Sequence, residues 1–414
     1  MFNFEKQIPR FILCLAITLL LDASLSAQNV VLQWNAIAST TIVTNAKEGQ
    51  ASSGVWFAYV HLAVFDAVNA FDHRFQPYLF STNPPAGANK DAAAVAAAHW
   101  ILVNYFLSQQ SMLDTAFNAS LAAISDTPAN IAAGRAVGEA SAQALITARA
   151  NDGLLANVLY TPPVGPGYWQ PTPPAFGPPV TPWLGQMVPF TMSSAAQFFP
   201  DEGPDALDSQ QWIDDYNEVM TLGALNSTVR TQQQTEIGLF WTEHAGQQYA
   251  RAFRNLAAQK GLSTSDTARL MAMLWTGFAD AAIGCFNAKY SFSFWRPVTA
   301  IPVGGANPAL TADPSWLPLG ITPGHPEYPA AHGCVTGAVS TILAGYFGPK
   351  LSFSVDSLVT DTTHNFTSTS DLMKEVENAR IYAGFHYHHS LIQGRVLGLK
   401  VGHQIMQRYF GRAQ

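Results

Sequence analysis

Lys289-Tyr290-Ser291-Phe292-Ser293-Phe294-Trp295-Arg296-Pro297 closes a long helical pattern that begins at Ser265. Apolar residues over 265–293 recur at spacings of three and four, the period of one helix face. The same spacing runs through 92–108, 115–124, 131–149, 205–222, 231–260 and 331–346, and from 371 to the end with one interruption. Period-two alternation between hairpin turns is scarce. These patterns predict an all-α helical bundle.

Two stretches depart from it. Between 160 and 205 prolines are dense, with Tyr168, Trp169, Phe176, Trp183 and Phe190 interleaved. Proline forbids regular helix there, while the aromatics argue for packing. An ordered excursion over the bundle is expected, either shaping the mouth of a site or covering apolar helix surface. A second irregular stretch, 298–328, follows the quoted segment.

Apolar residues make up 48% of the 414, ample for a core, whereas charged residues are only 12%. The net charge of −7, with no basic run, argues against nucleic acid as a partner. Lys6 and Arg10 precede an apolar run from Phe11 to Leu21, and Ser24-Leu25-Ser26-Ala27 offers small residues for cleavage. Residues 1–27 therefore read as an export signal, which predicts a secreted or periplasmic protein. Residues 28–414 then form a single all-α domain. No other segment reads as an integral membrane span, and the sequence sets no oligomeric state. Cys285 and Cys334 are too few for a disulfide scaffold; buried free thiols are expected, with a bridge between the two as the open alternative.

With charge so sparse, three local settings stand out. Lys289 and Arg296 are seven apart, about 700° on a helix, hence on nearly one face, with Pro297 expected to end that helix. Flanking aromatics suggest that the pair is partly buried, where unpaired charge is costly. Pro329-Ala330-Ala331-His332-Gly333 leads into a small-residue helix. The N–H groups at its start suit an anion, and His332 stands where it could protonate a leaving oxygen. Arg380 and His386 are six apart, which leaves them some 120° apart on a continuous helix. They can face one anion only if the helix breaks, and Gly384 supplies the place. Together these residues predict a site for a tetrahedral oxyanion. A divalent-metal reading of His386-Tyr387-His388-His389 lacks an acidic or cysteine ligand at helical metal spacing.

Lys-x6-Arg-Pro, Pro-x-x-His and Arg-x5-His, in that order, resemble the signature of the vanadium haloperoxidase and type 2 phosphatidic acid phosphatase superfamily. Ala279-Asp280-Ala281-Ala282-Ile283, running into Phe294-Trp295-Arg296-Pro297, is similar to its soluble haloperoxidase-like branch. Weaker similarity reaches Trp34-Asn35-Ala36-Ile37 and the stretch from His61 to Ala70. The resemblance implies a vanadate cofactor held by Lys289, Arg296, Ala330, Ala331, Arg380 and His386. His386 would bind the vanadium, and His332 would act as acid–base in the oxidation of halide by hydrogen peroxide. Two alternatives remain open. One is a secreted acid phosphatase without cofactor, cleaving phosphate esters through a phosphohistidine at His386. The other is an oxyanion-binding protein without catalysis.

The chain departs from the family pattern at three places. Ala330 and Ala331 stand where the family has Ser-Gly, and Ser390 where an orienting Asp often follows the covalent histidine. The first change removes a hydrogen bond to the anion, and the last implies a weaker orienting partner. An upstream acidic partner for the third-motif arginine or for His332 is expected at Glu243.

Overall fold

A computed structural model describes residues 29–413, so the expected export signal, 1–27, lies outside the described residues. The described chain is mostly helical (58% helix against 4% strand), from Val30–Ser39 to His388–Arg408. The expected helices form with modest shifts at their ends. The 231–260 pattern divides into Gln232–Phe240 and Ala245–Gln259, because His244 starts a new helix by accepting the Gln247 N–H. One antiparallel hairpin, Phe353–Ser357 with Thr362–Phe366, was not expected. Its first strand alternates buried and exposed residues, a signal carried by only five positions.

The centre of the bundle is the Thr264–Phe292 helix, in which every residue from Leu270 to Phe286 is buried. It packs against Ser53–Asp72, Ala331–Phe347 and His388–Arg408. By length and composition Ser53–Asp72 and Thr264–Phe292 could cross a membrane, but 94% of each apolar window is buried inside the bundle. Their apolarity is that of core helices.

Each of these two helices carries a buried carboxylate that pins a loop. Asp66 accepts from the N–H groups of Tyr78, Leu79 and Phe80 at 2.7–2.8 Å. Asp280 accepts from Phe190 and Thr191 N–H, each at 2.7 Å. Burial raises both carboxyls, and the donated N–H groups pull them back down.

Two helices that frame the site, Ala331–Phe347 and His388–Arg408, meet through small residues. A Cβ on Gly398 would lie 2.0 Å from the Cys334 carbonyl, so only glycine permits this backbone approach. Cys285 and Cys334 are both free and buried, as expected.

The Pro-rich excursion is ordered and pairs with the segment that carries Arg296. Trp169 N–H donates to the Ser293 carbonyl at 2.7 Å, and Trp295 N–H to Gly167 at 3.0 Å. Val180 and Thr181, further along it, line a cavity over the cationic residues.

Candidate active site

Lys289 and Arg296 do not share a helix. The central helix ends at Phe292, and Ser293 adopts a left-handed conformation at φ 54°. Arg296 is extended at φ −87°, ψ 155°, and caps a short helix that Pro297 starts rather than ends. Both facts have one cause. Proline disfavours helical backbone in the residue before it and is well suited to the first helical position.

Both cations are wholly buried. Lys289 Nζ donates to the carbonyls of Pro326 and Glu327 at 2.8 and 2.7 Å, and so clamps the segment before the second motif. It does not line the cavity; it supports the cradle from behind. Arg296 is likewise outside the cavity lining and directs its donors to the groups around it. Nε bonds the His325 carbonyl at 3.0 Å, Nη1 the Phe385 carbonyl at 2.8 Å and His386 Nε2 at 3.1 Å, and Nη2 His325 Nδ1 at 3.1 Å.

The expected break between Arg380 and His386 is present. The Thr369–Tyr382 helix stops, Gly384 turns at φ 78°, and the next helix starts at His388. Gly384 N–H bonds the Ile381 carbonyl at 2.9 Å and Phe385 N–H the Arg380 carbonyl at 3.0 Å, the paired closure of a Schellman end. A Cβ at Gly384 would lie 2.6 Å from the Gly223 carbonyl and 2.8 Å from Pro318. Gly384→Ala is therefore expected to cost about 2–4 kcal/mol, from left-handed strain plus overpacking. A denaturant titration checks this through the midpoint.

His386 is held from both sides. Its Nδ1 lies 2.7 Å from Glu327 Oε1, which also accepts the Tyr387 N–H at 3.1 Å, while Ser390 Oγ donates to Oε2 at 2.6 Å. Burial, with Arg296, Lys289 and Arg380 nearby, holds the imidazole well below its ordinary value, so it is neutral. Nδ1–H then donates to Glu327, and the Nε2 lone pair faces Arg296 and the cavity. Burial pushes Glu327 up to about 7, against the pull of Arg296, Lys289 and its two donors. The expected weakness at Ser390 is thus corrected. The orienting carboxylate is Glu327, and Ser390 supports it.

Glu243 does not pair with Arg380 or His332. It forms a two-point ion pair with Arg251 at 2.8 Å and accepts Leu358 N–H, which ties down the hairpin. Arg380 is reached from the same segment by a carbonyl instead. Its Nη1 donates to Trp241 O at 2.6 Å, and its buried Nε has no partner among the described residues.

A cavity of about 210 Å³ brings His325, Ala331, His332, Arg380 and His386 together. Burial and the three cations hold His332 well below its ordinary value. The Ala331–Phe347 helix opens beside it with no side-chain cap, leaving its first N–H groups for another acceptor. Ala330 does not line the cavity. It is fully buried against Ile381 and Leu391, and its N–H donates to the Ser390 carbonyl at 2.9 Å. His388 pairs with Glu218 and His389 with the Gly203 carbonyl; among the described residues no group of three or more His, Cys, Asp or Glu is arranged for a metal ion.

His325 and Glu327 were missed from sequence, although a His and a Glu in Gly324-His325-Pro326-Glu327, just before the second motif, are a signal in a chain this poor in charge. His325 Nδ1 must accept from the guanidinium, so in the neutral ring the proton sits on Nε2.

Burial lowers Lys289 to about 8 and Arg380 to about 9. An anion favours the charged form of each, so affinity should be greatest below about pH 8 and fall by up to about tenfold per unit above it. Sulfate, whose charge is constant over this range, is the probe. Undiminished sulfate affinity to pH 10 would mean that both cations keep their charge.

Residues 269–413 match the family model for the second helical-bundle domain of vanadium chloroperoxidase. The chain is 29% identical over 154 residues to the vanadium chloroperoxidase of Curvularia inaequalis, covering 31% of this chain and about a quarter (25%) of that protein's length. In fold it is similar to a bacterial vanadium-dependent iodoperoxidase, with TM-score 0.81 and 23% identity over 92% of this chain and 97% of the other. A bacterial vanadium-dependent chloroperoxidase, in its holo form, matches with TM-score 0.71 and 17% identity over 90% and 95%. The ordered motifs, the cradle they build and these likenesses agree: over residues 269–413 the chain is similar to the second helical-bundle domain of vanadium chloroperoxidase, and its fold is that of the bacterial vanadium-dependent haloperoxidases.

Proposed function

We propose that the protein is a vanadate-dependent haloperoxidase that oxidises halide with hydrogen peroxide. The observation that carries this reading is His386, locked by Glu327 at Nδ1 with its Nε2 lone pair turned toward Arg296. The donor set suits vanadate: the buried Arg380 Nε has no partner among the described residues, and the helix start at Ala331 is uncapped. Bound there, vanadate would supply a Lewis-acidic centre that activates hydrogen peroxide toward halide.

The chain's own residues do the rest. Arg296 and Arg380 neutralise the oxyanion, and Lys289 adds charge while holding the 326–327 carbonyls. His386 offers Nε2 as the ligand atom, with its proton kept on Nδ1 by Glu327. His332, neutral at the cavity wall, can take a proton from peroxide and return it to a departing oxygen. The names of the similar proteins, all vanadium peroxidases, favour this over ester hydrolysis. Export by cleavage after Ala27, leaving one domain over 28–414, belongs to the same reading; N-terminal sequencing of the mature protein tests it.

The deciding experiment assays the mature protein with and without orthovanadate. Chloride, bromide and iodide oxidation by peroxide are measured beside phosphate-ester hydrolysis. Vanadate-dependent halide oxidation is expected. Hydrolysis that vanadate inhibits, without halide oxidation, would overturn the proposal.

A further inference from the structure

Halide and peroxide are small, and the space above the cradle is not. A single water's share of liquid is about 30 Å³, and an apolar cavity of roughly 150 Å³ takes benzene. The cavity, cradle included, is about 210 Å³, so room remains beside an oxyanion, and much of its lining is apolar: Ala51, Val180, Phe278, Ala282, Phe286 and Val335. Tyr249 also lines it, but its hydroxyl is spent on Thr336 Oγ1 at 2.7 Å. The ionisable groups of the lining are the cradle residues His325, His332, Arg380 and His386, joined by the polar Gln50 and Thr181. A mostly apolar lining with a few polar groups is the pattern of a small-molecule site, in which the wall holds the body and the polar groups orient it.

The wall is also preformed. Val180 N–H donates to the Gly324 carbonyl at 2.9 Å, and the Val180 carbonyl accepts the Tyr290 hydroxyl. Thr181 beside it is held at φ 50°, a region unfavourable for a β-branched residue. Its buried hydroxyl has no partner among the described residues. Backbone of this kind persists only where its surroundings over-determine it, and such positions cluster at ligand sites.

We infer that the cavity binds a neutral organic ring, monocyclic with short substituents, directly against the oxyanion cradle. The inference rests on the cradle holding an oxyanion. The ring can arrive free, as an acceptor of halogen, or as the aryl group of a phosphate ester. In the first case ring C–H, halide, hydrogen peroxide and a proton give ring C–halogen and two waters. Halide is oxidised and peroxide is reduced; the two protons that complete the two waters are the displaced ring proton and the one taken from solution.

The test titrates the full mature protein, without vanadate, with 4-propylphenol, followed by calorimetry or ligand-observed NMR. Saturable one-to-one binding is expected. Ala282→Phe fills the chamber, and Val180→Trp obstructs the mouth from an exposed loop position where misfolding is not a concern. Each should weaken 4-propylphenol at least tenfold while sulfate affinity stays within threefold. Absence of saturable binding to the parent protein overturns the inference, as does undiminished binding by both folded variants. Failure of the oxyanion reading shows separately, as loss of sulfate and orthovanadate binding by the parent. Turnover then identifies the source. A free ring gives halogenated 4-propylphenol with an isomer ratio unlike that made by hypohalite in solution, whereas an ester gives phosphate release from 4-propylphenyl phosphate. Either supports the assignment if Val180→Trp suppresses it; neither being sensitive to Val180→Trp overturns it.

Discussion

His386→Ala is expected to reduce turnover about a thousandfold or more, whether halide oxidation or ester hydrolysis is assayed. The ring supplies the lone pair that the Glu327 contact fixes on Nε2, and alanine removes it. Anion binding should survive in part, because Lys289, Arg296 and Arg380 remain. Arg296 loses one acceptor but keeps Phe385 O and both contacts to His325. Glu327 keeps Ser390 and Tyr387 as donors. The stability cost should therefore be only about 1–3 kcal/mol. Sulfate titration and steady-state rates on the folded variant separate the two effects. Full turnover in His386→Ala would remove the covalent role.

Glu327→Gln should lower turnover 10–100-fold, the usual cost of losing a partner that orients a ligand histidine. Glutamine nearly preserves the shape but removes the charge that makes the imidazole basic, and its amide can present a donor where Nδ1–H needs an acceptor. Anion affinity should stay level or rise, since a negative charge leaves the neighbourhood of the oxyanion. Melting temperature should fall, because Lys289 and Arg296 lose the buried counter-charge that Glu327 supplies, so the rate is compared on folded variant only. The pH profile gives the sharpest check. With Glu327 near 7, activity should decline below that pH as the carboxylate is protonated, and this acid limb should vanish in the glutamine variant. A merely structural Glu327 would leave the limb in place.

The places where sequence reading failed share one character. Arg296 was placed on the helix of Lys289 because seven residues suit one face, yet Pro297 begins a new helix and Ser293 ends the old one. Glu243 was expected to pair with Arg380 or His332, and tertiary packing gave its carboxylate to Arg251. Glu327 was overlooked inside a stretch read only as irregular. The hairpin at 353–366 was passed over because a five-residue alternation is weak beside helical periods of twenty residues or more.

Sequence by itself determined the bundle, the ordered triad of motifs and the helix break at Gly384. Each depends on local periodicity or on one residue's backbone freedom, and these act over neighbours along the chain. Only the tertiary structure decided which carboxylate orients His386, which carbonyls cap Lys289 and Arg380, and that Ala330 faces Ile381 and Leu391 rather than the cavity. Those outcomes join residues far apart in sequence: the Glu327–His386 contact spans 59 positions and Arg380–Trp241 spans 139. Such pairings are selected by what must be satisfied once charge is buried, a constraint that exists only when the helices have closed around it.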